Sequence, residues 1–91
     1  MSAQEPKSTT ACFSVTASAG PGVLPRILEP FAKRGLVPGR FESHRRDEVL
    51  TVDIRMDPMD LELARYIGRC LDRIFEVERV LVSEKRFADV A

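Results

Sequence analysis

Around Gly20-Pro21-Gly22 the hydrophobic period switches from 2 to about 3.6 residues, the change expected where a strand hands over to a helix. Before the switch, Phe13, Val15 and Ala17 alternate with Cys12, Ser14, Thr16 and Ser18, the pattern of a strand with one buried face. After it, Val23, Leu24, Ile27, Leu28 and Phe31 fall on one helical stripe through residues 23–33. A strand, a Gly-Pro-Gly turn and a helix start can hold a small anion or amino acid. The first helical N–H groups lack partners and the dipole is positive there. The amides around Gly22, Val23 and Leu24 are the candidate carboxylate receivers, with at least one of Val23 and Leu24 turned into the core. The plain alternative is a connecting turn.

The rest of the chain sets the architecture. Pro25 fits a first helical turn, whereas Pro30 predicts a kink or early fray near residues 26–30. Lys33 and Arg34 suit the negative end of the dipole, and Gly35 is the natural C-cap. Residues 36–44 read as a second strand, which Pro38-Gly39 confines to a sheet edge and in which Phe41 is the core candidate. Residues 44–48 read as a charged hairpin tip. Residues 49–56 alternate most cleanly, Leu50, Val52, Ile54 and Met56 against Thr51, Asp53 and Arg55. Asp57 as cap and Pro58 as first residue open a second helix. Its apolar stripe is Leu63, Ile67, Cys70, Leu71 and Ile74, and its wet face is Glu62, Arg65, Arg69, Asp72 and Arg73. Gly68 weakens that helix unless a close contact uses it. Residues 77–83 make a last strand with Val80 and Val82 on one face. The order strand, helix, strand, strand, helix, strand predicts an α+β, ferredoxin-like βαββαβ sandwich: a four-stranded antiparallel sheet, second and fourth strands at its edges, two helices on one face.

Composition excludes more than it assigns. Fourteen Lys and Arg against fourteen Asp and Glu leave no net charge, which argues against a chain-wide basic field for nucleic acid. No apolar run approaches the ~20 residues that span a bilayer, and residues 1–10 are polar with no signal-peptide apolar core. The expectation is a cytoplasmic protein with no nucleic-acid or membrane partner. Cys12 and Cys70 lack metal or redox spacing and read as buried free thiols. His44 lacks converging ligands and reads as a solvated histidine. Arg45 and Arg46 read as solvated turn residues, the sharper alternative being a grip on an acidic partner or RNA. Asp53 and Arg55 read as a surface pair. Ser14, Ser18 and Ser43 have no assignable histidine partner, so no nucleophile–base set is visible.

Three stretches carry a resemblance: Phe13-Ser14-Val15-Thr16; Gly20-Pro21-Gly22-Val23-Leu24-Pro25-Arg26-Ile27; and Phe31-Ala32-Lys33-Arg34-Gly35-Leu36. Together they resemble an ACT domain. With Leu71-Asp72-Arg73-Ile74-Phe75-Glu76-Val77-Glu78-Arg79-Val80, the chain is similar to the short regulatory small subunit of acetolactate (acetohydroxyacid) synthase. The resemblance implies an ACT domain over residues 12–84; the polar, aperiodic start reads as a disordered arm at 1–11 and residues 85–91 as a tail in which Phe87 and Val90 could dock. It implies a non-catalytic homodimer with no cofactor of its own. Such a subunit activates the thiamine-diphosphate-dependent large subunit and often brings feedback by valine or another branched-chain amino acid. The implied effector site is Ala19, Gly20, Pro21, Gly22, Val23 and Leu24 of one chain with Val37 at the partner's edge strand. That family commonly has asparagines where this chain has Ala19 and Val37, which implies weakened or lost feedback. A stand-alone amino-acid sensor acting on another enzyme is the alternative; an enzyme on the same scaffold is a third possibility, for which no catalytic set speaks.

Overall fold

The computed structural model describes residues 9–86. The elements run β1 (Thr9–Ser18), α1 (Val23–Ala32), β2 (Arg40–Arg46), β3 (Val49–Met56), α2 (Leu61–Asp72) and β4 (Val77–Arg86). They form one antiparallel sheet in the order β2-β3-β1-β4, with β2 and β4 at the edges as expected.

β1 is the middle of the molecule. It pairs with β3 from Ala11 against Met56 to Ser18 against Val49, and with β4 from Thr9 against Arg86 to Ala17 against Val77. Every second residue therefore faces the helices, and Ala11, Phe13, Val15 and Ala17 are all buried. Leu50, Val52, Ile54 and Met56 do the same from β3, and α1 and α2 close the layer with Val23, Ile27, Phe31, Ala64, Ile67 and Leu71. Phe13 and Phe31 meet edge to face, ring centroids 5.3 Å apart, which adds about 0.5–1.5 kcal/mol to the area they bury.

Several boundaries differ from the sequence expectation. β1 begins at Thr9, three residues early, because residues 9–11 find partners on β4; β4 likewise continues past residue 83 to Arg86. Residues 1–8 of the expected arm at 1–11 and residues 87–91 of the expected tail, with Phe87 and Val90, lie outside the described residues. α1 does not fray at Pro30 but runs on to Ala32. Pro30 removes one bond near the helix end, and the end is closed instead by Leu36 N–H to Phe31 O and Gly35 N–H to Ala32 O, both 2.9 Å, with Gly35 at φ +70°. That is the Schellman arrangement, which suits glycine after a helix.

β2 starts only at Arg40, since Pro38 has no N–H to offer; Gly39 N–H makes the first contact, 3.0 Å to Arg55 O. The hairpin tip shrinks to Asp47-Glu48, with Asp47 in the left-handed region that Asp tolerates. This places His44, Arg45 and Arg46 in β2 rather than in the turn. α2 starts at Leu61, not Pro58: Asp60 is the cap, accepting from Leu63 N–H at 3.4 Å, while Met59 before it is buried. Neither cysteine is fully buried. Cys12 lies on the open sheet face because the period of two puts it there, and Cys70 lies at the margin of the α2 stripe.

Gly68 is used as a close contact. A Cβ there would sit 2.6 Å from Val82 Cγ2 on β4. Gly68→Ala is therefore expected to lower stability by about 1 kcal/mol in urea unfolding, because overpacking outweighs the ~1 kcal/mol gained in helix propensity. In a Val82→Ala background the same change is expected to be neutral or stabilising. A stabilising Gly68→Ala in the otherwise unaltered chain would contradict the close contact.

Candidate functional site

The strand-to-helix loop sits at the end of the central strand and is held from both sides. Ser18 N–H donates to Glu76 O and Ala19 N–H to Glu48 O, each at 2.9 Å. The α2–β4 turn and the β2–β3 hairpin thus fix where the loop leaves the sheet. Beyond these bonds Gly22 caps α1 with φ −98° and no side-chain bond, and a Cβ on it would meet nothing within 4 Å.

Ala19, Gly20, Pro21 and Leu24 line one shallow recess of about 410 Å³, together with Arg45 and Leu50. The other expected residues fall elsewhere. Val23 is buried in the core, so of the pair Val23 and Leu24 it is Val23 that turns inward, leaving Leu24 half-buried at the recess. Val23 N–H is also turned back onto Gly20 O at 3.3 Å. Pro25 has no N–H, so Leu24 is the first-turn amide left for a ligand. Gly22 does not line the recess, and Val37 is 83% exposed in the loop before β2, away from it. Within one chain the structure does not bring Val37 to the loop.

Arg45 and Leu50 are the residues that the sequence expectation missed. They oppose each other across β2 and β3, and Leu50 faces the helices, so Arg45 does too. The clean alternation of residues 49–56, carried across the hairpin, was the available signal. Arg45 Nε donates to Asp47 O at 2.9 Å, and the guanidinium makes no ion pair among the described residues.

A larger groove of about 890 Å³ runs between the outer faces of α1 and α2. Its walls carry both signs of charge. Arg26 Nη1 meets Glu76 Oε2 at 2.6 Å, and Lys33 approaches Glu29 at 3.9 Å. The Arg34 guanidinium lies 4.5 Å from the Tyr66 ring centre, and Phe75 stands 95% exposed at one end. The hydrogen bond from Arg26 holds the Glu76 carboxyl below its ordinary 4.5. Neither concavity assembles a nucleophile with a base. Among the described residues no group of three or more His, Cys, Asp or Glu converges as a metal site, and no helix is long and apolar enough to cross a membrane.

The family model described as an ACT-like domain matches residues 4–87. The chain belongs to the ACT-like domain family. Its structure is similar to the crystal structure of the ACT domain from GTP pyrophosphokinase of Chlorobium tepidum, with a TM-score of 0.73 at 12% identity, covering 85% of this chain and 100% of that one. It is also similar to the C-terminal domain of the MgtC protein from Mycobacterium tuberculosis, with a TM-score of 0.67 at 11% identity, covering 98% and 100%. A de novo designed protein reaches 0.58 at 17% identity, covering 90% and 100%. Such likenesses establish the shared fold and nothing finer. No curated protein matches the sequence. Membership as an ACT-like domain points to a regulatory, small-molecule-sensing role rather than a catalytic one.

The Arg26–Glu76 pair gives a pH test. A carboxyl whose folded value is depressed contributes stability that is fully present above its unfolded pKa and lost as pH falls through the folded one. Arg26→Gln is expected to return Glu76 toward 4.5 in an NMR titration. It is also expected to lower stability at neutral pH, the difference from the unaltered chain closing below the lowered value. An unmoved Glu76 titration would contradict the pairing.

Proposed function

We propose that this ACT-like domain is a non-catalytic regulatory subunit that docks on a partner enzyme and tunes its activity. The observation that carries the proposal is the loop at Ala19, Gly20, Pro21 and Leu24, held by two backbone bonds beside a recess, in a fold with no catalytic set among its described residues. The first candidate partner is the thiamine-diphosphate-dependent large subunit of acetolactate synthase. The support is the resemblance of residues 13–36 and 71–80 to that enzyme's small subunit. In this reading the chain acts as a homodimer, and branched-chain amino acid feedback is weakened. Ala19 offers no amide side chain to an effector, and Val37, the other position where an asparagine is common, is equally apolar.

A second reading is a stand-alone ACT sensor with a different target enzyme. It is favoured by the mixed-charge inter-helix groove with Phe75 exposed at its end, a surface that suits docking on a protein without specifying this synthase.

Mixing the 91-residue chain with candidate large subunits is expected to raise acetolactate formation several-fold and to give co-elution on gel filtration. Absence of both across the large subunits tested would exclude the synthase as partner and leave the sensor reading. Gly22→Val is expected to change stability by no more than about 1 kcal/mol, since its Cβ meets open space and only cap preference is lost. Thermal unfolding checks this, and a larger loss would make Gly22 a structural turn residue.

A further inference from the structure

We infer that the recess beside the loop takes a short apolar carboxylate that carries no ammonium group, with Arg45 as its anion partner. The inference rests on the ACT reading of the loop, and it gives that site a ligand class.

The recess has a one-sided chemistry. Of its six lining residues, Ala19, Gly20, Pro21, Leu24, Arg45 and Leu50, only Arg45 is charged. No carboxylate and no side-chain amide or hydroxyl lines it, although Asp47 and Glu48 are close in sequence. Three main-chain acceptors around it are engaged as well: Gly20 O by Val23 N–H, Glu48 O by Ala19 N–H and Asp47 O by Arg45 Nε. An α-amino acid brings an ammonium that needs an acceptor in place of water, and burying it without one is costly. A carboxylate lacking that ammonium meets no such cost. Arg45 is suited to the other half of the task. Its Nε is tied to the hairpin, which limits the side chain's freedom, while the terminal nitrogens make no ion pair among the described residues. A guanidinium presents paired donors matched to a carboxylate. Leu24 and Leu50 supply apolar surface for a short aliphatic tail. The inter-helix groove differs, since Glu29 and Glu76 give it acceptors alongside its cations.

The test compares two probes that differ only in the ammonium group, 3-methylbutanoate and L-valine. Each is titrated into the ¹⁵N-labelled full chain at matched ionic strength, following amide shifts of Ala19, Gly20, Leu24 and Leu50. The expected result is that 3-methylbutanoate moves these amides and binds about tenfold or more tightly than L-valine, with Arg45→Gln weakening it by a similar factor. Arg45 is exposed on an edge strand, so the variant is expected to keep its fold, and its unperturbed core amides report this. L-valine binding as well as or better than 3-methylbutanoate overturns the inference and leaves the amino-acid-sensing reading standing. Equal binding to Arg45→Gln overturns the role of Arg45. Failure of both probes to move the loop amides overturns the ligand class, and activation of a partner enzyme is judged separately by its own assay.

Discussion

The structure depends on β1 being paired along both edges. A strand hydrogen-bonded on two sides satisfies its backbone within the sheet, and the helix-facing residues of the doubly paired stretch can then all be apolar. Ala11, Phe13, Val15 and Ala17 follow that rule, and the core is built on their row. The strands flanking β1 carry different burdens. β3 repeats its alternation almost perfectly. β4 receives the close approach of α2 at Gly68, where the absence of a side chain lets the helix lie on Val82. Helix, glycine and edge strand are thus one packing unit.

The same central placement fixes the loop. Where β1 ends, its last amides still find partners on either side, one from the α2–β4 turn and one from the β2–β3 hairpin. The loop therefore starts from a defined position even though Gly20, Pro21 and Gly22 themselves are exposed. It gains a wall from the β2–β3 hairpin, because the register turns Arg45 and Leu50 toward the helix side. A site formed this way carries one cation, Arg45, whose Nε is tied to the hairpin.

Much of this was legible in the residues. The alternations at 12–18 and 49–56, the apolar stripes of both helices and the closing role of Gly35 are local patterns, and the strand order follows from them. Boundaries set by long-range partners were not legible. Residues 9 and 10 become strand only because β4 extends to meet them, and Asp60 displaces Asp57 as the cap because Met59 is drawn into the core. The candidate site was half legible. The Gly-Pro-Gly loop stood out, but Arg45 looked like a turn residue until the hairpin tip shortened to two residues and gave it a face. Val37 was placed at the site by likeness alone, and within one chain it stands apart in solvent.

In this fold the loop is anchored before any ligand arrives. Amide hydrogen exchange on the ligand-free chain tests it most directly, because Ser18 and Ala19 donate their N–H groups into the two bonds that hold the loop, whereas Leu24 donates to no carbonyl among the described residues. Protection of Ser18 and Ala19 close to that of Phe13 and Val15, with rapid exchange at Leu24, is the predicted result. Exchange at Ser18 and Ala19 as fast as at Leu24 would contradict it and make the recess a product of ligand binding rather than of the fold.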